Sequence, residues 1–525
     1  MQGQNTVSLV NLGALISKER FSKTLLDSVR LVKSPDSPAL CLKVASDMGI
    51  STEFFDLQKQ LKNKAVVFET QYCDRKALEQ LSHLTAAQQK AHDDDDERGF
   101  QASVIEMISR AVELRASDIH LCIESQAAYC HFRVDGKLVF DRDYPAEQGR
   151  RLVNALYNSM CEERSSTSLS YSEPADAKIR EAFVQHLGLS TGRFASRPGG
   201  GGKLLVVIRL ITRRRERLAF DALGLTPPEA AIIRRVLNKP GGVIFSSGPT
   251  GHGKSTLSQC MAEMITAHDK GLSMITIEDP IESPIEGAFQ TPLIIADRGD
   301  RALLSRAWEL AISNVVRLNP DWLYIGEVRD ATSAMGTLEA GNTGHGVITT
   351  IHTRFPIDIL SRLKNWQVDK DLLMDATIIP CLIGLRLVPL LCPACKKPYA
   401  THKAVVESAF RGVIDTFTRS EQVFLRDNAG CEQCHHTGLK GRTGVFEVIE
   451  TNAEFMHRYH TQGKQAAYEY WYTAGGITLC DNVLRLVNSG VIDPVDTHRA
   501  ICNLDRNHLI FSDSAKEAVN AVVKC

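Results

Sequence analysis

Long apolar runs are missing from this sequence. Nowhere in its 525 residues do about eighteen apolar side chains follow one another, the length at which a helix crosses a membrane. The amino terminus from Met1 to Thr6 has no charged segment leading into an apolar one, so it does not read as a secretory leader. Charge of one sign is missing too: 61 Lys and Arg stand against 62 Asp and Glu, and no overall basic field draws in nucleic acid or anionic lipid. Aromatic residues are only 6% of the chain and show no base-stacking surface. These absences predict a cytoplasmic protein without a nucleic-acid partner.

What is present begins with size, since the chain has room for three or four domains with separate cores. One stretch organises the rest. Gly248, Pro249, Thr250, Gly251, His252, Gly253, Lys254 and Ser255 spell G-x-x-x-x-G-K-S, with Thr256 next. The glycines let successive N–H groups turn towards phosphate oxygens, Lys254 adds a point charge, and the Ser255 hydroxyl is placed to reach a bound Mg²⁺. An apolar run from Gly242 to Ser247 precedes the loop as a strand. Helical spacing from Thr256 to Ala267 follows it, so bound phosphates meet a helix N-terminus.

In chain order, residues 1–92 read as a helical, partner-docking region, from patterns such as Leu25, Leu26, Val29, Leu31 and Val32. Asp93 to Glu97 is a self-repelling acidic block and reads as a solvated linker over 93–99, because consecutive carboxylates do not converge on one ion. Residues 100–220 read as a small α+β domain: an amphipathic helix from Phe100 to Arg115, alternating runs, an Asp135-Gly136 turn and a glycine turn over 199–202. Arg213 to Arg217 is a basic cluster, read as solvated surface or as a phosphate- or partner-facing patch. Residues 221–500 alternate short apolar strands with helices, which predicts an α/β domain with a parallel sheet covered on both faces; 501–525 reads as a tail.

Ligands on such sheets sit at the strand carboxyl ends. Glu278, Asp279, Glu327 and His352 each come directly after a strand run, which predicts that they meet the loop. Glu327 is the candidate to polarise the attacking water or hold Mg²⁺, and Glu278 to orient the same water. His345 and His352 flank one strand, where a neutral imidazole can sense the γ-phosphate. No arginine lies within the loop, so Arg193, Arg197 and Arg209 of the preceding domain are the candidate finger residues, in cis or from a neighbouring subunit.

Cys392, Cys395, Cys431 and Cys434 form two C-x-x-C knuckles among fourteen cysteines. Together they supply four thiolates for a closed structural zinc site within 390–440, with an inserted helix near Lys403 to Arg411. His435 and His436 adjoin the last ligand.

The segments Gly248 to Ser255, Thr276 to Glu282, Asn319 to Asp330 and Thr343 to Thr353 resemble the Walker A, Asp box, Walker B and His box of the secretion ATPase superfamily, which serves type II secretion and type IV pilus assembly. Ala116 to His120 and His131 to Gly136 are similar to the start of that family's second N-terminal domain. The resemblance covers roughly residues 100 to 500. It implies a RecA-like P-loop domain behind a small PAS-like domain, and a homohexameric ATPase using ATP and Mg²⁺. Arginines in the region of Arg193 and Arg197 then complete a neighbour's site. The tetracysteine module points to the assembly-type branch. His252 departs from the family's small residue, and Ser255-Thr256 stands where two threonines are common. The implied setting is the cytoplasmic face of the bacterial inner membrane, with a membrane platform protein and a cytoplasmic docking protein as partners. A RecA-like nucleic-acid translocase and an ATP-binding scaffold are the alternative readings.

Overall fold

The computed structural model describes residues 8–10, 12–16, 20–33, 40–48, 51–212, 218–295 and 300–516. The basic cluster at 213–217 lies outside them. The chain divides between Glu106 and Met107 into two compact units.

The first unit corrects the expectation of a helical region. Its four strands, Ser8–Val10, Val29–Lys33, Leu40–Ala45 and Phe68–Cys73, form a sheet in that order. The last pair is parallel and is joined through the Thr52–Asn63 helix, capped where Ser51 Oγ accepts from Phe54 N. Leu31, Leu42 and Val44 of the strands are buried with Leu57 and Leu61 of that helix. Short apolar runs such as Val29 to Val32 carry no decisive period, and burial against a neighbouring strand decides them. The acidic block expected as a linker falls instead within the Arg75–Glu113 helix.

In the second unit, residues 116–212 form an antiparallel sheet of seven strands. The Ala146–Ala155 helix packs on one face, so closely that a Cβ on Gly149 would come within 2.4 Å of the Ala128 Cβ. The other face carries Arg193, Arg197 and Arg209 exposed.

The nucleotide domain has its own seven-stranded sheet, ordered Ala288–Pro292, Met274–Glu278, Trp322–Val328, Gly346–Ile351, Gly242–Ser247, Cys381–Leu391, Leu439–Glu450. The first six strands run parallel and the seventh closes the edge as an antiparallel hairpin with the sixth. Every residue of Gly242–Ser247, Met274–Glu278 and Gly346–Ile351 is buried, as expected of strands covered on both faces. Alternation divides the contacts. Val243, Phe245, Ile325 and Val347 face Trp308 and Ile312, whereas Ile244, Tyr324 and Ile348 face Leu257, Met261 and Ile265. Residues 501–516 are part of this packing rather than a free tail, since Phe511 is buried and stacks on Tyr472 with ring centroids 4.1 Å apart.

Candidate active site and cysteine cluster

The Gly242–Ser247 strand ends at the phosphate loop, and the Lys254–His268 helix starts directly after it. Gly251 and Gly253 have φ of 78° and 88°, left-handed conformations in which a side chain is strained. At Gly248 the constraint is space. An added Cβ would sit 2.6 Å from the Leu385 carbonyl oxygen and 3.2 Å from an Arg386 guanidinium nitrogen. Lys254 is buried, and its Nζ donates to the carbonyls of Gly248 at 2.8 Å and Pro249 at 3.0 Å, so the loop curls around the ammonium. Burial brings that ammonium down to about 8, against the pull of Glu327 and with the push of Arg386. His252 Nδ1 accepts from Leu387 N at 3.1 Å, which ties the loop to the hairpin and leaves the proton of the neutral ring on Nε2. Ser255 is exposed and Thr256 half-buried on the first turn of the helix.

Glu327 lies beside this loop. Its Oε1 is 2.9 Å from His352 Nε2 and its Oε2 is 3.0 Å from Arg329 Nε. Parallel pairing brings them together: Glu327 lies on Trp322–Val328, His352 follows the adjacent Gly346–Ile351, and the Thr350 hydroxyl donates to Gly326 O at 2.7 Å. Burial and Lys254 hold His352 below the ordinary imidazole range, against the pull of Glu327. It is therefore neutral and donates to the carboxylate. The same histidine lies against the backbone of Gly248. Arg329 also reaches Asp279 at 3.9 Å, so a cation stands where the sequence reading had assigned none.

A family model for type II/IV secretion system proteins matches residues 93–504. The chain belongs to that family. It is 29% identical over 378 residues to the type II secretion system protein E of Aeromonas hydrophila, covering 72% of this chain and 70% of that protein. It is 28% identical over 363 residues to the type IV pilus assembly ATPase PilB of Acinetobacter baylyi, covering 68% and 58%. The X-ray structure of the Legionella pneumophila ATPase DotB matches with a TM-score of 0.51 at 20% identity, over 74% of this chain and 92% of that one. That likeness concerns fold, and it agrees with a RecA-like nucleotide domain.

Not every candidate reaches the loop of this secretion system protein. Glu278 ends its strand, but its Oε1 accepts from Thr276 Oγ1 at 2.6 Å and Gln290 Nε2 at 2.8 Å, turning the carboxylate along the sheet. Among the described residues no hydrogen bond or ion pair joins it to Lys254, Glu327 or His352. His345 lies at the opposite end of the sheet. Its carbonyl accepts from Gly242 N, at the start of the strand that the loop ends, and its Nδ1 meets Ala340 O and the Thr343 hydroxyl. It corrects the expectation of a second sensor histidine: a residue preceding a parallel strand stands a strand length from one that follows it. Among the described residues no hydrogen bond or ion pair joins Arg193 or Arg197 to the loop; Arg193 is opposite Arg209, which pairs with Asp118 at 3.2 Å.

The family member also gathers its four knuckle cysteines. Cys392, Cys395, Cys431 and Cys434 have Sγ atoms within 4.8 Å of one another. Three of the separations are 3.8, 3.9 and 3.8 Å. A tetrahedron with Zn–S bonds of about 2.3 Å has edges of about 3.8 Å, so the donor set fits Zn²⁺. Burial opposes ionisation of Cys434, but N–H groups of Cys431 and Gly438 point at its sulfur and bring the thiol down to about 6. The inserted helix is Ser408–Phe417.

Proposed function

We propose that this protein is a motor ATPase that couples ATP hydrolysis to assembly of a type IV pilus or extension of a type II secretion pseudopilus. The observation that carries the reading is a carboxylate, Glu327, held by His352 and Arg329 at the strand ends beside a buried loop lysine. In this reading the N–H groups of residues 248–256 and the Lys254 ammonium bind the phosphates. Mg²⁺ held through Ser255 would offset charge on the β- and γ-phosphates. Glu327 accepts a proton from the attacking water, with His352 and Arg329 fixing its orientation. His352, lying against Gly248, links the occupancy of the loop to Glu327. Glu278 supports the neighbouring strand end rather than the water.

The chain works as a homohexamer, and Arg193 and Arg197, exposed and without a hydrogen-bond or ion-pair partner among the described residues, supply positive charge to the neighbour's phosphates. Zinc in the four-cysteine site has a structural task. The protein sits at the cytoplasmic face of the inner membrane through a platform protein and a docking protein bound by residues 1–97. Relatives named for secretion and pilus assembly support this, as does the lack, among the described residues, of any helix long and apolar enough to cross a membrane. Steady-state phosphate release tests the reading. Wild type is expected to turn over ATP, and Glu327→Gln to bind ATP but lose turnover by about a hundredfold or more. Equal rates would overturn the catalytic assignment, and stimulation by single-stranded DNA would favour a translocase instead.

A further inference from the structure

Arg386 is a buried cation that meets no counter-charge at contact among the described residues. It is 5% exposed, and its guanidinium donates to two carbonyls, Leu385 O at 2.8 Å and Arg354 O. Among the described residues no carboxylate forms an ion pair with it. The two acids whose charge favours its protonated form, Glu447 and Asp358, are committed elsewhere. Glu447 accepts from Tyr468 Oη at 2.7 Å and Leu479 N at 2.8 Å, and Asp358 is taken by Lys464 and by Phe355 N at 3.1 Å. A buried charge without an opposite charge beside it is costly. Burial pulls Arg386 only to about 10, so it remains charged at neutral pH.

Its position gives the cost a use. The strand holding Arg386 runs beside Gly242–Ser247 as far as Gly384, and the next residues continue past the point where the loop leaves that strand. A guanidinium nitrogen is 3.2 Å from where a Cβ on Gly248 would lie, so the charge rests against the back of the first loop glycine. Its field is felt across the loop, since it adds to the lowering of both Lys254 and His252. A phosphate bound by the loop N–H groups would come within reach of that field.

We propose that Arg386 is a fixed counter-charge for the nucleotide phosphates, acting through the Gly248 backbone without touching them. The proposal rests on the nucleotide-binding reading above and extends it: the chain carries a destabilising buried cation that bound di- or triphosphate neutralises. Arg386 is thus a positioning residue, tuned to the charge of the ligand rather than to its base.

Two substitutions in the full chain separate charge from shape. Arg386→Gln keeps donors for Leu385 O and Arg354 O without the charge, and Arg386→Lys keeps the charge. Calorimetric titration with ADP and with adenosine is the readout, alongside melting temperature without nucleotide. Arg386→Gln is expected to weaken ADP about tenfold or more, leave adenosine affinity unchanged, and melt no lower than wild type. Arg386→Lys is expected to stay within about threefold of wild type for ADP, because charge-assisted attraction is what is lost or kept. Equal losses for ADP and adenosine, unchanged ADP affinity in Arg386→Gln, or a tenfold ADP loss in both variants would overturn the proposal. Should Arg386→Gln fail to fold, a tenfold loss in Arg386→Lys at wild-type melting temperature overturns it, and retained affinity there supports it. Wild type failing to bind ADP at all would instead sink the nucleotide reading itself.

Discussion

At the scale of single residues, the loop depends on a lysine and a histidine that share one crowded electrostatic space. Lys254→Ala is expected to abolish ATP turnover and weaken ADP by at least tenfold, read by phosphate release and calorimetry; unaltered hydrolysis would refute the assignment. His252 gives a pH signature. Burial, followed by Arg386, Lys254 and Arg442, holds it down to about 4, and it must be neutral for Nδ1 to accept from Leu387 N. The unfolded value is near 6.5, so the folded state binds fewer protons. The stabilising contribution is therefore complete above pH 6.5 and lost as pH falls towards 4. Melting temperature of wild type is expected to fall more steeply over that window than that of His252→Asn; identical acid limbs would remove the bond from the account.

Residue chemistry was legible in the sequence where it is local. The G-x-x-x-x-G-K-S loop needs no distant partner, so residues 248–255 announce themselves. That Glu327 and His352 come together was legible because one lies at the carboxyl end of a parallel strand and the other follows the adjacent one, and the same rule, applied with strand polarity, separates His352 from His345. What could not be read came from pairing across the chain. Glu278 is claimed by Gln290 on the next strand, and Arg386 reaches Gly248 only because 381–384 lies beside 244–247. Arg329 was in view within Gly326 to Asp330, but only the sheet shows its guanidinium meeting Glu327.

Among elements, the hairpin of Cys381–Leu391 and Leu439–Glu450 joins the two sites. One strand leads from the loop contacts at 385–387 directly into Cys392, and the other leaves Gly438, whose N–H points at Cys434 Sγ. Leu387 and Cys392 are five residues apart, about 16 Å along an extended strand. One zinc per chain is expected by metal analysis, and Cys431→Ser should lose it. Chelation is expected to slow phosphate release although no cysteine contacts nucleotide, since the strands backing the loop lose their far clamp. Full activity in metal-free protein would show that the hairpin holds without it. The spacing of the knuckles made the cluster readable, whereas the strand identity of residues 8–10, 29–33, 40–45 and 68–73 was hidden by their brevity.

On the scale of the whole molecule, the hexamer proposed above assigns the exposed Arg193 and Arg197 to a second chain's site. Mixing Lys254→Ala protein with the Arg193→Ala, Arg197→Ala double variant, each inactive alone, is expected to restore measurable turnover in mixed assemblies. No recovery at any mixing ratio would mean that the arginines serve their own chain or none. Within one chain, the second domain touches the nucleotide domain through the Asp135-Gly136-Lys137 turn, beside a cavity of about 200 Å³ that His252 and Arg442 also line. Asp135 Oδ2 accepts from Gly441 N at 3.1 Å, and Lys137 Nζ meets Asp496 at 3.0 Å. Asp135 and Gly136 have φ of 47° and 88°, so both contacts leave from one tight turn. Any displacement of the second domain against the nucleotide domain therefore has to break a hydrogen bond and an ion pair that spring from one three-residue stretch.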